Sequence, residues 1–231
     1  MRPDGSEIRI LDRPLKSFRE VISGPSIIAV DMPIGLPALG GRAAENLVRP
    51  LLGKLSRSVF PIPSRRAVFC EIGPFANETE RYAAHQRACQ VAENTSSPPK
   101  RITMQAFGIF PKIREVDECL RTPPGAVGRV FEVHPEVAFW RLNGGKALTE
   151  PKKRNGKPHA PGIACRRQLL RIAGLTGDSL DAAPPKGAGV DDLLDALACV
   201  VVARRIYEKH AASFPQSPPP DEFGLPMAIW A

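Results

Sequence analysis

Two short runs of apolar, mostly β-branched residues stand out from a chain whose other apolar positions recur at helical spacing. Residues 26–31 (S-I-I-A-V-D), bounded by Gly24-Pro25 and Pro33, predict a buried strand. Residues 129–134 (R-V-F-E-V-H), stopped by Pro135, predict a second. Alternation puts Val130, Glu132 and His134 on one face of it, and Phe131 and Val133 on the other. Residues 7–11 read as a further short strand and 15–22 as a short helix. Helical patterning covers 42–54, where Pro50 must kink or end it, 77–93, 104–120 with an interruption at Pro111, and 162–173. The last long helix, 191–210, is apolar nearly all round, so much of it must be buried. Between these elements lie Gly- and Pro-containing loops at 32–41, 94–99 and 143–161, and a linker through Gly189. The 25 prolines gather in such loops and after Ser213. No repeat and no second core is visible. The pattern predicts one domain over 1–212 and a Pro-rich tail, 213–231, lying on its surface.

Several carboxylates sit where this pattern does not need them. Asp31 ends a hydrophobic strand, and in open α/β sheets the carboxyl ends of strands face the ligand crevice; its alternative is to cap the turn that follows. Glu132 lies mid-strand, where a lone charge is very costly, so it must be paired, metal-bound or near an opening. The last helix begins D-D-L-L-D-A. Asp192 and Asp195 are three apart and share a face, while Asp191 and Asp195 are four apart. An N-cap and the helix dipole explain one or two of these aspartates. Asp195, between Leu194 and Ala196, is harder to explain, and carboxylates this close repel unless a cation joins them. Metal binding is the sharper expectation. His134 either joins this group or is a satisfied strand-end histidine, and His85, His159 and His210 look incidental.

Composition narrows the classes. The charge of +8, from 32 basic and 24 acidic residues, suits a polyanion partner, although the basic residues come in scattered pairs. The five cysteines include no C-x-x-C pair, which argues against a zinc ribbon or a thioredoxin-like site. G-x-S-x-G, P-loop, G-x-G-x-x-G and H-E-x-x-H motifs are absent. No signal peptide opens the chain, and the longest apolar run, 196–203, is too short to span a bilayer. A cytoplasmic protein without a membrane partner is expected.

Five stretches together resemble the domain of unknown function 429 family, which is grouped with ribonuclease-H-like predicted nucleases. They are I-A-V-D-M-P-I-G-L-P (28–37), S-V-F-P-I-P-S-R (58–65), Q-A-F-G-I-F-P-K-I-R-E-V-D (105–117), F-E-V-H-P-E-V-A-F (131–139) and D-D-L-L-D-A-L-A (191–198). The resemblance implies an α/β fold, a ribonuclease-H-like mixed sheet flanked by helices. Asp31 and Glu132 would lie on strands, and a final helix would present Asp192 and Asp195. Family members usually begin with a strand reading like G-V-D-G and a Gly-rich hairpin. No such segment precedes Glu7, so that first strand lies upstream or is lost.

The activity so implied is metal-dependent hydrolysis of phosphodiester bonds in nucleic acid, DNA or RNA. Asp31, Asp192 and Asp195 would hold Mg2+, with Mn2+ as substitute, and Glu132 would be a further ligand or general base. Arg65, Lys112, Lys152 and Lys153 would hold phosphates, and His134 would contact substrate. The rival is a catalytically inactive nucleic-acid-binding protein on the same fold. A phosphotransfer enzyme of the actin-like group would need an N-terminal phosphate hairpin, which the sequence does not show.

Overall fold

The computed structural model describes residues 8, 10–11, 17–22, 27–121 and 128–231. The expected strand at 7–11 and the first part of the expected 15–22 helix lie partly outside them. Helix α1 (Arg19–Ile22) is a single turn leading towards β1 (Ile28–Val30), and β1 is the first of the two β-branched runs. β1 runs parallel to β2 (Val130–Glu132), with Ile28 opposite Val130 and Val30 opposite Glu132. Parallel strands need a long crossover, and here it is built of helices.

The crossover opens with α2 (Ala43–Val48), which tightens into 3₁₀ turns over Arg49–Ser58. Pro50 supplies no backbone donor, and Gly53, at φ 52°, breaks the run where a residue with a side chain would be strained. α3 (Arg65–Phe69) starts at Ser64, whose hydroxyl accepts from the Ala67 N–H at 3.3 Å. α4 (Glu78–Asn94) is capped by Asn77, which accepts from the Glu80 N–H at 2.9 Å. α5 (Met104–Arg121) runs on through Pro111, where the sequence predicts an interruption. A proline inside a helix costs about 3 kcal/mol, and each buried large apolar side chain returns roughly 1.5–3 kcal/mol. Phe107, Phe110, Ile113, Val116 and Leu120 are all buried along this helix, so packing outweighs the lost hydrogen bond.

After β2, α6 (Pro135–Leu142) begins at the proline that stops the strand. The expected 143–161 loop contains a hairpin, β3 (Lys153–Arg154) against β4 (Lys157–Pro158). Its turn is Asn155-Gly156, both at positive φ (51° and 74°), as a two-residue hairpin connection of this type requires. α7 (Ala160–Ile172), the short α8 (Gly177–Leu180) and α9 (Val190–Tyr207) follow. α9 packs against α6, α7 and β1, which accounts for its apolar circumference. Phe139, Leu170, Leu194 and Leu197 stand at the centre of that core.

The tail departs from expectation. Residues 216–217, 219–220 and 222–224 are exposed, but the segment does not simply lie on the surface. β5 (Ser213–Phe214) pairs antiparallel with β6 (Ile229–Trp230), and Leu225, Ala228, Ile229 and Ala231 are buried. Trp230 also bridges Val133 in parallel and meets Phe131 edge-on at 5.1 Å, which places the chain end beside β2. The prolines masked four apolar residues spaced for burial. The described strands thus form three two-stranded sheets in an α/β protein. Among the described residues no helix is long and apolar enough to cross a membrane.

Candidate functional site

Asp31 leaves β1 at its carboxyl end, and the turn behind it is held from three sides. Glu132, next to β1's end on β2, accepts the Ile34 N–H at 2.7 Å. Arg42 donates to the Ile34 carbonyl at 2.8 Å and to both Glu132 oxygens at 2.7 Å, and its Nε reaches Glu45 at 2.9 Å. Gly35 sits at φ 74° with Met227 and the Leu225 carbonyl where a Cβ would be, so only glycine fits. The result is a cavity of about 330 Å³ with Asp31, Glu132, His134, Glu136 and Lys152 in its polar wall and Met32, Phe60, Ile62 and Ile109 among its apolar residues.

Asp195 approaches from α9. Lys152, from the start of the β3–β4 hairpin, forms an ion pair with Asp195 Oδ2. Asp195 Oδ1 is buried and has no hydrogen-bond partner. Burial and the repulsion of Glu136 and Asp191 push the Asp195 carboxyl up to about 6, against the opposing pull of Lys152. Asp31 is open to solvent at the cavity but walled by protein. This desolvation, with the charge of Asp195, raises its carboxyl to about 7, again against Lys152. The two aspartates and Lys152 therefore form one electrostatic unit.

Two of the expected ligands have other tasks. Both Glu132 oxygens are taken by Arg42 and one also by Ile34, so its charge is spent on shaping the turn after Asp31. Asp192 is exposed and accepts the Gly189 N–H at 2.7 Å, which is the capping role its helix-start position allowed. The carboxylate that accompanies Asp195 is Asp191, only 2% exposed. Lys153 holds Asp191 Oδ2 at 2.7 Å, and Asp191 Oδ1 is buried without a partner. The i, i+4 spacing of Asp191 and Asp195 carried that signal. An apolar circumference gave no means of choosing it over the i, i+3 pair.

The expected phosphate contacts divide similarly. Arg65 is a structural hub. It binds both Asp117 oxygens at 2.7 and 2.8 Å and Asp221 at 2.6 Å, and it stacks on Phe223 at 4.5 Å. Its donors clamp the tail to α5, so it is withdrawn from the phosphate role. Lys112 is exposed on α5, on the helical stripe of Gln105 and Ile109 that lines the cavity, one turn beyond Ile109. Lys152 and Lys153 stand at the carboxylates themselves.

His134 lines the cavity, with Nε2 3.3 Å from the Ser58 carbonyl. A carbonyl only accepts, so Nε2 carries the proton of the neutral ring, and burial pushes the imidazole pKa down. Glu136, absent from the sequence expectation, is buried in the cavity wall and locked to Arg166 at 2.7 and 2.8 Å. Among the described residues no group of three or more histidine, cysteine, aspartate or glutamate side chains is assembled to hold a metal ion.

The fold and the cavity define an α/β protein with an acidic, lysine-bridged cleft at the carboxyl end of a parallel strand pair. The chain belongs to the family described as protein of unknown function, DUF429, whose family model matches residues 3–220. Searches among curated proteins and among solved structures returned no match.

Proposed function

We propose that this protein is a metal-dependent nuclease, built on a ribonuclease-H-like core of which β1 and β2 are the central parallel pair. The observation that carries the reading is the electrostatic coupling of Asp31, in the cavity wall at the end of β1, to Asp195 of α9, whose ion-pair partner Lys152 lines the same cavity. Both carboxyls are raised, which is the condition that an added cation relieves.

The donor set suits magnesium. Carboxylate oxygens are hard ligands, Asp195 Oδ1 is buried and unbonded, and Mg2+ is commonly held by one or two carboxylates together with substrate phosphate and water. Asp31 and Asp195 would hold it, with Mn2+ as substitute, and it would supply charge neutralisation at the phosphodiester and a more acidic water. Lys152 neutralises Asp195 in the free protein, and the same ammonium is placed to take a phosphate oxygen once that carboxylate is otherwise satisfied. Lys153, Arg154 and Lys157 of the hairpin continue the positive edge along which a nucleic-acid backbone would run. Glu132 and Arg42 keep the Asp31 turn in place.

Asp195→Asn should abolish Mn2+ binding by calorimetry and phosphodiester cleavage, with the circular dichroism spectrum unchanged. Full activity in that variant rejects the assignment.

A second reading is favoured by the ion pairs of Lys152 with Asp195 and Lys153 with Asp191, which satisfy these carboxylates within the chain. On that reading the protein is an inactive nucleic-acid binder. Its binding would weaken steeply with salt, and no cleavage would follow even in manganese.

A further inference from the structure

A second cavity, about 560 Å³, opens between α5 and the 71–75 connection that joins α3 to α4, and the proposed nuclease makes no use of it. Its floor is aromatic: Phe75 and Phe107 stack at 5.9 Å, and Phe110 meets Phe107 edge-on at 5.5 Å. Arg114 forms part of the wall and is only 7% exposed.

This arginine differs from the other two buried arginines among the described residues. Arg42 is held by Glu132 and Glu45, and Arg166 by Glu136. Arg114 is held by backbone carbonyls, with Nη1 donating to Val68 at 2.7 Å and Glu71 at 3.1 Å. Burial depresses its pKa and outweighs its largest charge influence, Glu118 on the rim, which favours the cation. A desolvated guanidinium in this position calls for an anion, and its planar fork favours a carboxylate. Arg81, whose Nη1 also pairs with the exposed Glu78 at 3.2 Å, sets a second guanidinium beside Gly108, where the missing side chain leaves the cavity open.

The carboxylates around the rim limit the charge of that anion. Glu71 is already bound to Arg87 at 2.6 and 2.9 Å, and Glu115 accepts the Phe18 N–H at 2.6 Å, but with Glu118 they would repel a doubly charged phosphate. A monoanion on a flat apolar body meets both the floor and the wall.

We propose that this cavity is a binding site for a small aromatic carboxylate, its carboxylate on the open edge of the Arg114 guanidinium and its ring against Phe75 and Phe107. The site is independent of the Asp31 cavity and of the reaction assigned there.

The test is a titration of the full, nitrogen-15-labelled chain with phenylacetate, followed by amide chemical shifts, with phenylacetamide as the neutral isostere. Saturable shifts clustered in residues 71–75 and 107–118 are expected, with the amide at least about tenfold weaker, a difference of about 1.4 kcal/mol. Gly108→Leu should fold, since a Cβ there meets nothing closer than 3.6 Å and leucine is the better helix former. Its side chain would fill the cavity and remove the shifts. Arg81→Gln, at a more exposed position, should weaken binding severalfold. Equal binding of acid and amide would show an aromatic pocket without anion recognition and overturn the proposal. So would the absence of saturable shifts, shifts confined to the Asp31 cavity, or undiminished binding in a folded Gly108→Leu variant.

Discussion

Glu132 and Asp195 are carboxylates set between apolar neighbours, and they meet different partners. Arg42 offers Glu132 a bidentate fork inside the protein, and breaking a buried pair of this kind costs about 3–5 kcal/mol. Glu132→Gln should therefore lower unfolding stability in denaturant by roughly that amount, with any loss of metal binding following from disorder of the Asp31 turn. A variant of normal stability that no longer bound Mn2+ would return Glu132 to the ligand set. At Asp31 and Asp195 the electrostatics run the other way. Their unfolded values lie near 3.8, and their folded values are about 7 and about 6. Between about pH 4 and 7 the folded protein keeps protons that the unfolded chain has released, so stability falls as pH rises through that window. Asp31→Asn should flatten the fall and raise the melting temperature at about pH 8. The gain should stay under ~1 kcal/mol, because solvent screens this exposed group. A melting temperature at that pH below that of the unaltered protein counts against this account. The sequence marked each of these positions as chemically costly. Which of them had an arginine waiting could not be read from a chain in which Arg42 lies 90 residues from Glu132.

The start of α9 shows how one element divides three aspartates between structure and site. Asp192 faces solvent and caps, while Asp191 and Asp195 turn inward to the two hairpin lysines. Asp192→Ala should cost about 1 kcal/mol through the lost cap and leave Mn2+ affinity unchanged. Loss of metal binding in a stable variant would instead restore it as a ligand. The hairpin that supplies the lysines lies in a stretch whose glycines and prolines predict loop. Asn155-Gly156 was its local signature, but two-residue strands carry too little alternation to be seen without their partner. Its base is held against α7, where the His159 N–H donates to the Lys152 carbonyl at 2.9 Å and a Cβ on Gly162 would overlap the Pro151 carbonyl. Lys152 is thus carried on an anchored strand end.

At the scale of the whole molecule, the C-terminal segment decides whether the fold closes. Asp221 accepts the Leu36 N–H at 3.0 Å and binds Arg65, while Leu225 and Ile229 fill two of the apolar clusters. Burying those two side chains is worth about 3–6 kcal/mol, a large share of the ~5–15 kcal/mol that holds a domain folded. A chain ending at residue 212 should lose its cooperative thermal transition. A sharp transition within a few degrees of the full chain would mean that the tail is dispensable after all. Local pattern alone determined the two buried strands, the α4, α5, α7 and α9 helices, and the short set of carboxylates too costly to be incidental, because periodicity and burial cost are properties of a segment and its own residues. Only tertiary structure decided which of those carboxylates share a cavity, which are neutralised by an arginine or a lysine from elsewhere, and that the proline-rich tail belongs to the core. Each of those outcomes depends on a partner far along the chain, and the free energy that selects the partner exists only once the segments have met.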